Sequence, residues 1–191
     1  MSELSLSCQC GEVKGTARNV SAKTGNHLVC YCSDCQRFMK ELGQESLLDD
    51  NGGSFIFQLP PCNLVIHQGH DQLRCLKLTQ KGPLRWHTAC CNSPVANTFA
   101  AGMPLVGMVT SFIANETDRS NLGEVRFYIQ GQHAIGTPPQ PVVHPKFPGK
   151  LIRRIMRQMV CGKILGRQKP NPFFTEQGKP TSKPEKRYPT D

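Results

Sequence analysis

The chain has 191 residues, 38% of them hydrophobic and 19% charged, with ten cysteines and a formal net charge of +9. That is enough chain for one globular domain with its own core, and too apolar a composition for a wholly disordered protein. No run of about eighteen apolar residues occurs, which excludes a hydrophobic spanning helix. The opening MSELSLSCQCGEVKG lacks the basic and apolar regions of a secretory signal.

The first 130 or so residues read as short alternating segments. LSLSC, GEVKGTA, HLVCYC, SFIFQL, NLVIH, LRCLKL, LRWHTAC, LVGMVTSF and EVRFYI are the candidate strands, separated by turn clusters such as DDNGGS, KGP and NLGE. This cadence predicts a mainly β domain over residues 1–135. One early helix is expected in SDCQRFMKELG, with Ser33 as its cap and Gly43 as its stop. GTPPQPVVHPKFPG then carries five prolines, which predicts a linker over 136–150. Apolar residues at 151, 152, 155, 156, 159, 160, 164 and 165 have helical period, with Arg153, Arg154, Arg157 and Lys163 mainly between them. A basic amphipathic helix is expected over 151–167, packed on its own domain or, alternatively, lying on a membrane surface or partner, and a disordered tail over 168–191.

The charge follows this division. Residues 146–191 carry 12 Lys and Arg against 3 Asp and Glu, so residues 1–145 hold 11 of each sign. The basicity belongs to the C-terminal part, which suits an anionic membrane surface or an acidic partner. Nucleic acid is a weaker expectation, because aromatic residues are sparse there and no sequence-reading motif appears.

With no export signal, the reading places the chain in the reducing cytoplasm, where clustered cysteines point to metal before disulfides. CQC supplies Cys8 and Cys10, CYCSDC supplies Cys30, Cys32 and Cys35, and HTACCN supplies Cys90 and Cys91. On an extended segment residues two apart point to the same side, so Cys8 can work with Cys10 and Cys30 with Cys32. Cys35 follows Cys32 at the spacing that lets two sulfurs bind one ion from a tight turn. Zinc takes four such ligands in a closed structural site and leaves a position open in a catalytic one. Cys8, Cys10, Cys90 and Cys91 make four; Cys30, Cys32 and Cys35 make three. The count predicts two Zn2+ ions, one structural and one open to catalysis. Adjacent Cys90 and Cys91 can share an ion only in a turn, so His87 with one of them is the alternative. The open position can also be filled by a protein ligand or a water, which would make the middle site structural too. A redox role for Cys32 and Cys35 is the other alternative. Cys62, Cys75 and Cys161 are isolated and read as packed thiols.

SCQCGEVKG, CYCSDCQRF, IHQGHDQL and RWHTACCNSPV together resemble the glutathione-dependent formaldehyde-activating enzyme and centromere protein V family, over roughly residues 5–130. The resemblance implies a β-tent of small antiparallel sheets, a structural zinc on Cys8, Cys10 and the late pair, and a catalytic zinc on Cys30, Cys32 and Cys35. It implies carbon–sulfur lyase activity on a small thiol adduct such as that of glutathione with formaldehyde. Three positions depart from the family pattern. Tyr31 stands for the usual histidine, Asn92 for the glycine that would follow Cys91, and the first late cysteine is replaced by Thr88 if Cys91 aligns with the second or by His87 if Cys90 does. The competing expectation is a non-catalytic, zinc-stabilised module whose basic C-terminal part binds an anionic partner.

Overall fold

Trp86 has no exposed surface, and the rest of the chain is arranged to keep it so. In the computed structural model, which describes residues 2–140 and 142–188, eleven strands and three helices follow one another. The strands are β1 (Ser2–Ser7), β2 (Lys14–Val20), β3 (Asn26–Cys30), β4 (Ser54–Leu59), β5 (Leu64–Gln68), β6 (Leu73–Lys77), β7 (Leu84–Thr88), β8 (Pro94–Thr98), β9 (Val106–Val109), β10 (Phe127–Ile129) and β11 (Glu185–Lys186). The helices are α1 (Ser33–Leu42), α2 (Glu116–Arg119) and α3 (Gly149–Ile164).

The protein is mainly β. A three-stranded sheet runs β1-β2-β5, and an eight-stranded sheet runs β10-β3-β4-β9-β8-β7-β6-β11. Pairing is antiparallel throughout the smaller sheet and through most of the larger one. The larger sheet is long, and both its edge pairs, β10 with β3 and β11 with β6, are parallel. Two strands were not legible as such. β8 opens on Pro94, which argues against an inner strand by itself, and β11 is two residues of a polar, proline-rich segment.

Alternation drives the smaller sheet. Leu4 and Leu6 of β1 turn inward while Glu3 and Ser5 face out. Arg18 and Asn19 sit opposite Glu3 alone, a bulge that Asn19 accommodates with φ 54°. β7 is different, since all five of its residues are buried. Trp86 faces the main core, where Phe173 and Phe174 cover it at ring-centroid distances of 5.1 and 6.2 Å, and its indole N–H donates to Thr98 Oγ1 at 2.9 Å. Arg85 and His87, on either side of it in sequence, take the opposite face.

Phe173 and Phe174 lie in the stretch expected to be a disordered tail. Over 168–188 that expectation fails. The chain returns across the sheet, buries both rings, and adds β11 beside β6, with Arg187 N donating to Lys77 O at 2.9 Å. The last residues of that stretch, 189–191, lie outside the described residues. The proline-rich stretch lies along β10, where His144 N donates to Tyr128 O at 2.8 Å. α3 buries Leu151 completely among Leu28, Ile56, Phe127 and Ile129, and fixes itself to β3 through Arg154 Nε on Asn26 Oδ1 at 2.7 Å.

α1 packs Phe38, Met39 and Leu42 on Leu76, Leu78 and Val109. It stops at Gly43, whose φ of 65° suits glycine. Its cap is Cys32 and not Ser33, which is the first helical residue; the Cys32 sulfur accepts from Cys35 N at 3.4 Å. A thiol takes the capping role because the turn that starts the helix also gathers the cysteines. No described helix is long and apolar enough to cross a membrane.

Candidate metal centres

The β1–β2 connection and the β7–β8 turn meet at four sulfurs. Cys8 Sγ lies 3.5 Å from Cys10 Sγ and 3.8 Å from Cys90 Sγ, and Cys90 Sγ lies 3.8 Å from Cys91 Sγ. All four ligand atoms fall within 4.8 Å of one another. Sulfurs about 2.3 Å from a tetrahedral zinc stand about 3.8 Å apart. The spacing fits a metal tetrahedron and is far too long for a disulfide, at about 2.05 Å.

Local structure explains why adjacent cysteines can serve together. Asn92 N donates to Thr88 O at 3.0 Å, closing a turn over Thr88–Asn92, so Cys90 and Cys91 are off the strand when they reach the site. The turn needs a left-handed residue after Cys91, and Asn92 supplies it at φ 53°. Thr88 Oγ1 accepts from Ser93 N at 3.1 Å and contacts Cys91 Sγ at 3.4 Å, so it braces the turn as a hydroxyl. On the facing strand pair, Val13 N donates to Cys8 Sγ at 3.2 Å. His87 is not in the group. Its Nδ1 sits 3.3 Å from Thr88 O and burial holds the ring below its ordinary pKa.

The thiols of this group are unlike one another. Burial pushes Cys90 up, with Cys10 adding to it, to about 12. For Cys91 burial is the largest influence and acts upward, but hydrogen bonds from Ser93 and Thr88 together with Cys10 outweigh it and hold the thiol at about 5.

The second group comprises Cys30, Cys32 and Cys35, whose sulfurs also lie within 4.8 Å of one another. Cys30 ends β3, Cys32 caps α1, and Cys35 is in the first turn of the helix. Cys30 and Cys35 are 6% and 5% exposed, so this centre is internal. Hydrogen bonds with Cys32 and Cys35, and then burial, push the Cys30 thiol far up. Cys32 is drawn down by Cys30 and pushed up further by Cys35 and burial, to about 11. Cys35 is held well below the ordinary thiol range by Cys30 and Cys32, with Arg85 helping against burial. Both groups can hold a metal ion, and their donor sets are compatible with zinc.

Sequence reasoning did not find the surroundings of the second group. Arg85 is 3% exposed, and its Nη1 lies 3.7 Å from Cys35 Sγ and 3.3 Å from Asn97 Oδ1, its cross-strand partner. Nη2 lies 3.9 Å from Asp34 Oδ2, the guanidinium stacks over the Phe38 ring at 5.4 Å, and Nε has no hydrogen-bond partner among the described residues. The one local signal was a charged residue beside a tryptophan in LRWH, on a strand otherwise apolar enough to be buried. A cavity of about 420 Å3 opens over the three cysteines and Arg85. Gly107, paired with Asn97, leaves it room.

A family model described as "Family of unknown function (DUF6151)" matches residues 1–185. The chain belongs to that family. The match runs through the proline-rich stretch, α3 and the returning segment, so these are parts of the family unit. No curated protein matches the chain. Among solved structures it is similar to a crystal structure of a Rhodobacter sphaeroides protein, a Northeast Structural Genomics target, at 16% identity and a TM-score of 0.43, covering 64% of this chain and 97% of that one.

Proposed function

We propose that the protein is a zinc enzyme of carbon–sulfur lyase type. In this reading Cys8, Cys10, Cys90 and Cys91 hold a structural ion, and Cys30, Cys32 and Cys35 hold a second ion with a position open to a small thiol or thiol adduct. The sheets would form the β-tent that the sequence resemblance implies. One observation carries the reading: at the inner end of the cavity three thiols converge with no fourth donor among the described residues.

A zinc ion there would offer a site for a thiolate and polarise a carbonyl oxygen. The chain's own residues supply the rest. Arg85, itself buried, places a fixed positive charge beside Cys35, offsetting the thiolate charge where screening by water is weak. Asn97 and Asp34 hold the guanidinium in that position. The reaction joins or parts a thiol sulfur and a carbonyl carbon. In the joining direction the C–S bond forms as the C=O π bond opens, and the thiol proton ends on the carbonyl oxygen. The test is turnover of thiol–aldehyde adducts, including that of glutathione with formaldehyde, by zinc-loaded protein, followed by aldehyde release. Turnover by wild type and none by Cys32→Ser supports the reading; none by either removes it.

The exposed face of α3 favours a second reading. Ile152, Met156, Val160 and Ile164 are all exposed at one-face spacing, with Arg153, Arg157 and Lys163 also exposed around them. This is the layout of a helix that lies on an anionic membrane surface. A binding module would sediment with phosphatidylserine vesicles at low salt, and the Ile152→Ser/Met156→Ser/Val160→Ser variant would not. Equal recovery of both with neutral phosphatidylcholine vesicles would rule the electrostatic part out.

A further inference from the structure

We propose that the thiol substrate of the three-cysteine centre carries an apolar alkyl or aryl body and is not a glutathione conjugate. The inference rests on the open-position reading above and names the substrate class for it.

The cavity argues for it by depth. At its inner end are Cys30, Cys35 and Arg85, all buried. Its walls are mainly Leu28, Ile56, Ile129, Met103 and Leu105, with Ser33, Gln58 and Gln130 as uncharged polar members of the lining. At its outer end Phe99 and Phe147 are 59% and 42% exposed, although both are large apolar rings. Exposed aromatic rings beside a greasy shaft cost solvation unless something apolar covers them. About 420 Å3 lies within the range of small-ligand sites, roughly 300–1,000 Å3.

Glutathione would bring two carboxylates and an ammonium into this space. Burying them demands cations and hydrogen-bond partners in fixed places. Arg85 is the only Lys or Arg lining the cavity among the described residues, and its guanidinium already faces Cys35, Asn97 and Asp34. Asp34, also in the lining, would repel a carboxylate. An alkyl or aryl thiol needs one polar anchor, its sulfur, and the three cysteines are where that anchor would go. The rest of it would gain by leaving water.

The probe is full-length protein loaded with cobalt(II), whose sulfur charge-transfer band reports a new thiolate. Ethanethiol, butanethiol, hexanethiol and glutathione are titrated in turn, with Cys32→Ser as the blank that removes the middle site. Affinity should rise about fourfold for each added methylene until the cavity is filled. Glutathione should bind no better than ethanethiol. Phe99→Ser/Phe147→Ser alters only exposed rings, so it should fold normally and flatten the chain-length dependence without changing ethanethiol binding. A flat series, or glutathione binding tighter than hexanethiol, would overturn the inference while leaving the open position standing. A band that no thiol changes would overturn the open-position reading and take the inference with it.

Discussion

The two cysteine groups use the same ligand atom and differ in almost everything else. The four-sulfur group joins segments 82 residues apart in sequence, Cys8 and Cys90, and has Cys10 and Cys90 at the surface. The three-sulfur group comes from one segment of six residues, Cys30–Cys35, and lies inside, under a cavity and beside a buried arginine. The comparison separates exposure from access: the cavity lies over the buried sulfurs and not over those nearer the surface. The exposed group brings four sulfurs from two strand connections within reach of one ion. The buried group offers three sulfurs, with no fourth donor among the described residues, and a cavity opens over it.

Breaking each group separately should give the largest effects. Free energy of structural zinc binding, about 10–16 kcal/mol in small zinc peptides, is as large as a typical domain's whole stability of about 5–15 kcal/mol. Cys8→Ser should therefore leave a chain without cooperative urea unfolding at 25 °C, read by far-UV circular dichroism. Cys32→Ser should keep the fold and lose one metal ion per chain by elemental analysis. Serine is itself a good helix cap, so the start of α1 survives the change. If Cys32→Ser unfolds as completely as Cys8→Ser, the two groups are both structural and the division of labour fails.

The pH dependence of metal binding sharpens the contrast next. Cys35 is held well below the ordinary thiol range by its neighbours, whereas Cys30 is far up and Cys32 is at about 11. A metal entering the middle group must displace protons from the latter two. Its affinity should rise with pH, by up to about a hundredfold per unit for two protons, and fall correspondingly on acidification. Chelator competition between pH 6 and 8 on wild type and Cys32→Ser isolates that slope. A pH-independent difference between them would show that the thiols are already ionised in the metal-free protein.

Arg85→Met comes third. It removes the charge beside Cys35 while keeping an unbranched apolar body for the Phe38 ring. Groups that orient or balance metal ligands are worth about 10–100-fold in metal affinity. The middle centre should weaken by that factor and the four-cysteine centre should not change. A uniform loss from both would mean that Arg85 acts on the fold as a whole.

What was legible in the sequence follows from range. Ligand pairs separated by one or two residues are fixed by backbone geometry, so Cys8/Cys10 and Cys30/Cys32/Cys35 could be read directly, and most strands showed their alternation. The surroundings of the middle centre are set by cross-strand register, Arg85 opposite Asn97 and Asn97 opposite Gly107, which no local pattern reveals. The return of 168–188 was missed for a related reason. The segment is polar and rich in proline, and its only apolar pair, Phe173 and Phe174, finds Trp86 from 87 residues away. Nor does the sequence alone show that Asn92 takes the left-handed backbone that lets Cys90 and Cys91 share a turn.

His87 gives the smallest expected effect and the finest test of the four-sulfur group. The sequence left it as an alternative ligand, at the spacing of an imidazole standing for a thiol. Its ring lies buried on β7, with Nδ1 near Thr88 O. His87→Gln should leave two metal ions per chain, and a loss of one would restore the histidine as a ligand. The same variant carries a pH signature. Burial lowers the folded-state pKa of His87 below the unfolded value of about 6.5. Between those two values the unfolded chain binds more protons, so stability is full above the unfolded pKa and declines as pH falls through it. Wild type should therefore lose more of its urea midpoint than His87→Gln does between pH 7.5 and 5.5. Because acid strips metal from both proteins alike, the difference between their two slopes belongs to the histidine.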